Sequence, residues 1–141
     1  MLTRTAGYAL HAAVALAGRD PADGLVSASD LADELGVPGS YLSKILQSLV
    51  RGRILVSERG RGGGFRLARP PHEIRLIEVV GGFDDLGKER QCLLGHGACA
   101  DVGACPAHAE WCEASGPAFR FLETRTLADL ADVPARVEST P

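Results

Sequence analysis

Two short amphipathic segments separated by Gly36-Val37-Pro38-Gly39 constrain the fold more than any other feature of this chain. The first begins with Ser27, which is a capping residue type, and carries its leucines on one helical face. Glycine permits a left-handed backbone and proline cannot extend a helix, so the first helix must end at this tetrapeptide. Ser40 is predicted to cap the second helix, whose shared apolar face comprises Leu42, Ile45, Leu46 and Leu49. Two helices joined by such a turn predict a helix-turn-helix.

A hairpin is predicted directly after these helices. The β-prone runs 54–57 and 65–68 flank a segment that is rich in glycine and arginine, residues 58–64. A hairpin with a flexible cationic tip in this place is a wing. A short apolar element at 74–80 follows it, and an Ala/Leu-rich helix over 4–18 precedes the two helices. The predicted fold class is therefore mainly α with a small β-hairpin wing.

The C-terminal third contains a second predicted helical region. From Pro106 to about residue 124 the pattern is helical, and Pro106 is suited to a first helical turn. Residues 126–130 have the sequence of a short capped helix, and residues 133–141 that of a frayed tail. Between residues 83 and 104 no usable period is present, and a loop of about 20 residues in a small domain indicates function or disorder.

Charge is distributed unevenly along the 141 residues. The net charge of −3 argues against a nucleic-acid binder, but residues 44–75 carry eight basic and two acidic side chains, which is +6, while the remainder carries −9. A helix, a turn, a helix and a hairpin coincide with the basic region, which favours duplex DNA as the partner. An RNA partner is less favoured because only Tyr41 and Phe65 are aromatic in the second helix and the hairpin. The alternative is an ordinary helical core with a solvated basic face.

The residues expected to contact DNA come from the second helix and the wing. A recognition helix enters the major groove by its N-terminal end, where side chains meet phosphates and base edges. Arginines on a glycine-rich tip can approach a backbone or enter a minor groove. The predicted DNA-binding residues are Ser40, Tyr41, Ser43, Lys44, Arg59, Gly60, Arg61 and Gly62.

Cysteines are concentrated in one region. Cys92, Cys99 and Cys105 have the spacing C-x6-C-x5-C, with His108 three residues and Cys112 seven residues after Cys105. Thiolates are soft ligands that suit iron-sulfur clusters or zinc, although the paired C-x2-C of common zinc modules is missing. A metal-free thiol switch and a nucleophilic cysteine are further alternatives, but no base accompanies any cysteine, which disfavours an enzyme. Cys112 is the candidate for an inert buried cysteine.

No apolar run approaches the length of a membrane helix, and the first residues lack the basic start and apolar stretch of a signal peptide. The sequence therefore predicts a cytoplasmic protein without a membrane partner. Thiols stay reduced in the cytosol, so a metal or redox role for the cysteines is favoured over a disulfide framework.

Over about residues 2–131 the chain resembles the IscR/NsrR-type (Rrf-family) bacterial transcription regulators. The resemblance rests on five groups of residues: Leu2-Thr3 with Tyr8-Ala9-Leu10, Ser40-Tyr41-Leu42 with Ile45-Leu46 and Leu49, the wing from Arg59 to Pro70, the three cysteines, and Thr126-Leu127-Ala128-Asp129-Leu130. It implies a winged-helix homodimer that reads a pseudo-palindromic operator, usually as a repressor. It also implies a long C-terminal dimerisation helix and an iron-sulfur cluster that senses redox state, nitric oxide or cluster supply.

The resemblance also implies a set of cluster ligands. Cys92, Cys99 and Cys105 match the three cysteines of the family, and His108 matches the fourth ligand of IscR-like members, with His11 as the alternative. A two-iron two-sulfur cluster is favoured and a four-iron four-sulfur cluster is possible. Ser43 stands where IscR carries an acidic residue, so the operator preference of IscR is not transferred.

These predictions divide the chain into four parts. Residues 1–82 form a winged helix-turn-helix domain and residues 83–105 a cysteine-rich cluster-binding loop. Residues 106–132 form the dimerisation helix and a C-terminal helix, and residues 133–141 a flexible tail.

Overall fold

The computed structural model describes residues 2–84 and 106–133. Over these residues five α-helices and two strands follow one another in the order predicted for a winged helix-turn-helix, which confirms the fold class. Their bounds are α1 Arg4–Ala17, α2 Ala28–Leu35, α3 Gly39–Arg51, β1 Leu55–Glu58, β2 Gly64–Leu67, α4 Leu76–Val80 and α5 His108–Thr124, with 3₁₀ turns at Pro21–Asp23, Pro71–Glu73 and Leu127–Leu130.

Helix α1 is the central helix of the core. The hydroxyl of Thr3 caps it by accepting a hydrogen bond from the Ala6 N–H, and Gly18 ends it as predicted. Its small side chains at Ala9, Ala12 and Ala13 are fully buried. Because these side chains are small, α2, α3 and α4 can pack closely around the helix.

The two helices of the helix-turn-helix form as expected, with one correction. Ser27 caps α2 and Gly36 ends it in the left-handed conformation. The prediction that Ser40 caps α3 is wrong, because α3 begins at Gly39 with Pro38 at the cap position. The carbonyl of Pro38 already accepts the first helical hydrogen bond, from the Leu42 N–H at 3.0 Å. Ser40 therefore lies within the first turn, exposed to solvent.

The wing is an antiparallel hairpin, in which β1 begins one residue later and β2 one residue earlier than the predicted runs. Leu55 pairs with Leu67, and Ser57 pairs with Phe65. The displacement arises because the Ile54 N–H is occupied by the carbonyl of Leu49 at the end of α3. Strand β1 therefore starts one residue later than the β-prone sequence does.

Residues 125–127 join the N-terminal core. The Leu127 N–H donates to the Ile74 carbonyl at 2.9 Å, and the Leu76 N–H donates to the Arg125 carbonyl at 2.9 Å. Leu127 is fully buried in the same apolar cluster as α1 and α3. The division of the chain into separate N- and C-terminal parts stays a prediction. These contacts attach the end of the C-terminal part to the N-terminal part.

Helix α5 packs against α4 and contains Pro117. It begins two residues later than predicted, because the Ala107 carbonyl accepts its first hydrogen bond, from the Trp111 N–H, and Pro106 precedes it. Of its 17 residues only Ser115 and Gly116 are buried. Over the described ranges no helix is both long and apolar enough to cross a membrane.

Candidate nucleic-acid interface and cysteine site

Helix α3 separates a buried apolar face from an exposed polar face. The predicted apolar side chains are all buried, while Ser40 and Lys44 are exposed and Ser43 is half-buried. Because Ser40, Ser43 and Lys44 are three and four residues apart, they lie on neighbouring positions of one face. This face presents hydroxyls and a cation at the N-terminal end of the helix.

Tyr41 lies between this face and the core. Its hydroxyl lies 2.5 Å from the hydroxyl of Thr5, and either oxygen can be the donor. Its ring meets the ring of Tyr8 edge to face, with centroids 5.8 Å apart and an angle of 82° between the planes. Both contacts are to α1. Tyr41 therefore fixes the N-terminal end of α3 against α1 through its hydroxyl and its ring.

The wing tip is exposed at all four residues predicted to contact DNA, Arg59, Gly60, Arg61 and Gly62. Gly60 (φ +94°) and Gly62 (φ +71°) have the left-handed backbone that glycine adopts without strain. The Gly63 N–H donates to the Gly60 carbonyl at 3.0 Å and closes the turn. The glycines therefore shape the turn, in addition to keeping side chains away from an approaching backbone.

The base of the wing is attached to the segment before α2. Val26 and Phe65 exchange backbone hydrogen bonds, with the Phe65 N–H to Val26 carbonyl bond at 2.8 Å. At Gly64 a Cβ would lie 2.3 Å from the Val26 carbonyl oxygen. The position of the wing relative to the helix-turn-helix is thus fixed by a backbone contact that only glycine at residue 64 permits.

The eight basic residues of the region 44–75 fall into two groups. Arg69 and Arg75 form ion pairs with Glu78, at 2.9 and 3.5 Å. Burial alone would raise the pKa of Glu78, but hydrogen bonds from the Arg75 backbone and the Arg69 guanidinium, with the Arg69 charge, hold it below its usual value. Among the described residues no carboxylate pairs with the other six, which are all exposed: Lys44, Arg51, Arg53, Arg59, Arg61 and Arg66.

Arg53 is a candidate contact that the sequence reasoning missed. It is exposed and holds φ +61° between α3 and β1, where glycine would be unstrained. The sequence signal is a non-glycine residue directly after the helix-ending Gly52. An arginine in a position that favours glycine places a cation at the C-terminal end of the candidate recognition helix.

The three cysteines predicted as ligands, Cys92, Cys99 and Cys105, lie outside the described residues. The nearest described residues are Asp84, eight residues before Cys92, and Pro106, directly after Cys105. Asp84 accepts a hydrogen bond from the Thr3 N–H at 3.0 Å, which ties the start of the cysteine segment to the cap of α1. His108, the predicted fourth ligand, is the first residue of α5, and the alternative His11 is half-buried within α1.

Cys112 lies one turn after His108 and contacts it. Its sulfur is 3.8 Å from Nε2 and 4.0 Å from Nδ1 of the imidazole, and both side chains are half-buried. The predicted burial of Cys112 is therefore wrong, while its inertness stays a prediction. Tetrahedral zinc holds sulfur and nitrogen ligands roughly 3.6 Å apart, so the donor pair has the chemistry and nearly the spacing of two ligands of one metal. The described ranges hold no group of three or more such ligands.

Comparison with known proteins gives concordant matches. The family model Rrf2, described as an iron-dependent transcriptional regulator, matches residues 2–133. The HTH-type transcriptional regulator IscR of Escherichia coli is 30% identical over 131 residues, covering 93% of this chain and 80% of that protein. These relatives are regulators of transcription, which is a non-enzymatic role.

Two solved structures share the fold. CymR of B. subtilis, described as its global cysteine regulator, superposes with a TM-score of 0.78 at 20% identity, over 93% of this chain and 95% of that chain. The IscR of T. potens superposes with a TM-score of 0.73 at 22% identity, over 92% of this chain and 85% of that chain. At these identities the likeness is one of fold.

Proposed function

Since this chain belongs to the Rrf2 family of transcriptional regulators, we propose that it is a homodimeric repressor whose affinity for DNA depends on a cysteine-ligated iron-sulfur cluster. The observation that carries this proposal is the first turn of α1. Thr3 contacts Asp84 at the start of the cysteine segment, and Thr5 contacts Tyr41 of α3. One short stretch of helix thus links the segment that carries the proposed ligands to the proposed recognition helix.

The DNA contacts of the proposal come from α3 and the wing. Ser40, Ser43 and Lys44 occupy the exposed N-terminal face of α3, which suits entry into a major groove. Arg59 and Arg61 lie on the wing tip, with no carboxylate partner among the described residues, so their charges are available to phosphates. Tyr41 orients α3 through α1, while any base contact of its own stays a prediction. Dimeric readers of this kind bind paired half-sites, which implies a pseudo-palindromic operator.

The proposed dimer forms through α5. The helix carries a solvent-facing stripe of Ala114, Pro117 and Phe121, and the Phe121 side chain is 49% exposed. Three and four residues separate these positions, so they form one continuous apolar face. A second α5 packed on this face would cover it, as the family resemblance implies. Two recognition helices would then be held at a fixed separation.

The proposed ligands are Cys92, Cys99, Cys105 and His108, with His11 as the alternative fourth ligand. Three thiolates with one imidazole suit either a two-iron two-sulfur cluster, which we favour, or a four-iron four-sulfur cluster. A bound cluster would supply a redox-active centre that reacts to oxidants or nitric oxide. The residues that would transmit a change at the cluster to α3 are those of the link through α1. A shift of Asp84 would act on Thr3, and a shift of α1 would act on Tyr41. A cytoplasmic location follows from the proposed role.

A second candidate is a regulator without a cluster that uses its cysteines as a zinc site or a thiol switch. The contact between Cys112 and His108 favours it, because this pair offers a thiol and an imidazole to zinc. In this candidate Cys112 has a role, whereas the cluster proposal gives it none.

Anaerobic purification of the full chain tests the two candidates. The cluster proposal expects a coloured protein with iron and acid-labile sulfide in equal amounts, and loss of colour in Cys92→Ser but not in Cys112→Ser. Gel shifts on duplexes selected from genomic fragments should then differ between the coloured and bleached protein. A colourless protein with stoichiometric zinc, retained in Cys92→Ser and lost in Cys112→Ser, would overturn the cluster proposal in favour of the second candidate.

A further inference from the structure

Helix α5 carries residues at its centre that disfavour a helix. Pro117 has no N–H, so the carbonyl of Glu113 loses its helical donor, and the proline ring crowds that carbonyl. Gly116 precedes it, and glycine has the lowest helix propensity after proline. The Ser115 hydroxyl donates to the Trp111 carbonyl at 2.6 Å, and such a bond often bends a helix. Three successive residues therefore weaken α5 at one point.

Packing within the described part of the chain does not require Pro117. Its ring is exposed, and the apolar face to which it belongs contains an alanine at Ala114. Gly116 accompanies the proline, because a side chain before proline clashes with the proline ring in a helix. Among the described residues, a Cβ at Gly116 would otherwise meet only the movable tip of the Arg120 side chain, at 3.2 Å. The pair is therefore not a packing feature, and its effect is on the flexibility of α5.

The part of α5 after Pro117 is attached to the core. Leu122 packs half-buried against the core, and Leu127, shortly after the helix, is fully buried in it. The carbonyl of Arg125 accepts a hydrogen bond from the Leu76 N–H at 2.9 Å. Residues 118–124, which we call the C-terminal arm, are therefore held by apolar and backbone contacts.

The part before the glycine, residues 108–114, is held less firmly, and we call it the N-terminal arm. The structure describes all seven residues, and none of them is fully buried. The arm carries the proposed fourth ligand, His108, and Cys112, whose sulfur lies 3.8 Å from the imidazole Nε2. A change at the proposed ligands would therefore act on this arm first.

We propose that Gly116 and Pro117 form a hinge, about which the N-terminal arm bends while the C-terminal arm keeps its place. His108 and Cys112 then move as one unit, and Phe121 on the C-terminal arm does not move with them. The hinge follows from α5 alone, whereas its regulatory part rests on the proposed function. In that part, a change at the cluster moves the N-terminal arm without separating the two copies.

Hydrogen exchange tests the hinge on the full chain after removal of any bound metal, resolved to single residues by mass spectrometry with electron-transfer fragmentation. The amides of residues 111–116 should exchange at a common rate, about tenfold faster than those of residues 119–124. Fraying of a helix end would instead give rates that rise gradually towards residue 111. Pro117→Ala restores the donor for the Glu113 carbonyl, so it should slow exchange at 111–116 about tenfold and leave 119–124 unchanged.

Two further variants complete this test. Gly116→Ala combined with Pro117→Ala should slow exchange at 111–116 further, because alanine favours a helix more than glycine does. Thr124→Ala is the matched control, since it raises helix propensity outside the hinge and should leave 111–116 unchanged. Equal rates in the two arms, a gradual profile, or unchanged exchange at 111–116 in Pro117→Ala would overturn the hinge. These outcomes leave the proposed function standing, because neither DNA nor a cluster takes part in the measurement.

The regulatory part has its own readout, the dimer affinity of the coloured and bleached protein in sedimentation velocity. The two forms of the wild type should associate equally, because the hinge separates the Phe121 contact from the N-terminal arm. In Pro117→Ala the helix is continuous, so the two forms should differ by about fivefold or more. A difference already present in the wild type, or equal affinities of the two forms in Pro117→Ala, would refute this part.

Discussion

Gly64 and Tyr41 show how single residues fix the positions of the wing and of α3. Gly64 has φ +150° and its Cα faces the Val26 carbonyl, so the backbone of β2 can approach the segment before α2. Tyr41 connects α3 to α1 through the contact between its hydroxyl and that of Thr5. Neither residue belongs to the large apolar core, yet each fixes one part of the candidate DNA surface relative to the rest.

Gly64→Ala should destabilise the protein by about 2 kcal/mol or more, because the new Cβ would meet the Val26 carbonyl in a backbone conformation that alanine rarely adopts. Urea unfolding followed by circular dichroism measures this change. Gly82→Ala is the control, since a Cβ there meets nothing within 4 Å. Equal stability of the two variants would contradict the assigned role of Gly64.

Removal of the hydroxyl contact between Thr5 and Tyr41 should cost about 1 kcal/mol. Thr5→Val and Tyr41→Phe each remove one partner and keep the side-chain shape, and the Tyr8 ring contact remains. A double-mutant cycle on unfolding free energies should show that the two effects are not additive.

The proposed link through α1 further requires that both variants reduce the difference in DNA affinity between the coloured and bleached protein. An undiminished difference would remove α1 from the link.

Among the elements, the wing and α4 show opposite uses of arginine. The wing holds Arg59 and Arg61 exposed on a glycine turn, whereas α4 gathers Arg69 and Arg75 around Glu78. Glu78 also accepts a hydrogen bond from the Arg75 N–H at the start of α4, at 2.9 Å. Arginine thus provides exposed positive charge on the wing, whereas at α4 it pairs with the carboxylate that caps the helix.

Arg59→Ala and Arg61→Ala should each weaken binding to duplexes of any sequence and flatten the dependence of affinity on salt by about one counterion. Titration at several salt concentrations by fluorescence anisotropy gives the slope. Arg75→Ala is a matched control, because the Arg75 guanidinium pairs with Glu78. A wing variant with the slope of the wild type would show that its arginine contacts no phosphate.

The lowered pKa of Glu78 predicts a pH-dependent contribution to stability. Its carboxylate form is favoured in the folded state, so its contribution is present above its ordinary pKa of 4.5 and is lost as the pH falls through the lower folded value. Glu78→Gln should therefore destabilise the protein at pH 7 by about 1 kcal/mol or less, as expected for partly exposed pairs. The difference from wild type should shrink below about pH 4.5. Urea unfolding at both pH values measures it, and a difference that grows on acidification would contradict this assignment.

At the scale of the whole molecule, α5 is exposed to an extent unusual for a helix of this length. It fully buries only Ser115 and Gly116, and its Leu122 packs half-buried against the core formed by α1, α3 and Leu127. The charges are divided as well, with +6 over residues 44–75 and −9 over the remainder. A basic surface for DNA and an apolar helix face for a second copy account for both features under the proposed function.

Phe121→Ser should shift the protein from dimer to monomer, because it removes the largest exposed apolar side chain of α5. Sedimentation velocity over a range of protein concentrations measures the shift. Glu123→Ser, another exposed position of the same helix, should leave the association unchanged. A dimer of undiminished affinity in Phe121→Ser would place the interface elsewhere.

The order of the elements, the buried face of α3 and the wing were predictable from the sequence, because helical periodicity, capping residues and glycine turns act over a few neighbouring residues. The family was also predictable, through a wing and cysteine pattern that local spacing makes visible. Three findings required the three-dimensional structure: Ser40 is not a cap, Tyr41 bonds to Thr5, and Glu78 pairs with both Arg69 and Arg75. These contacts depend on side chains from separate elements meeting in space, and sequence spacing does not specify such distances.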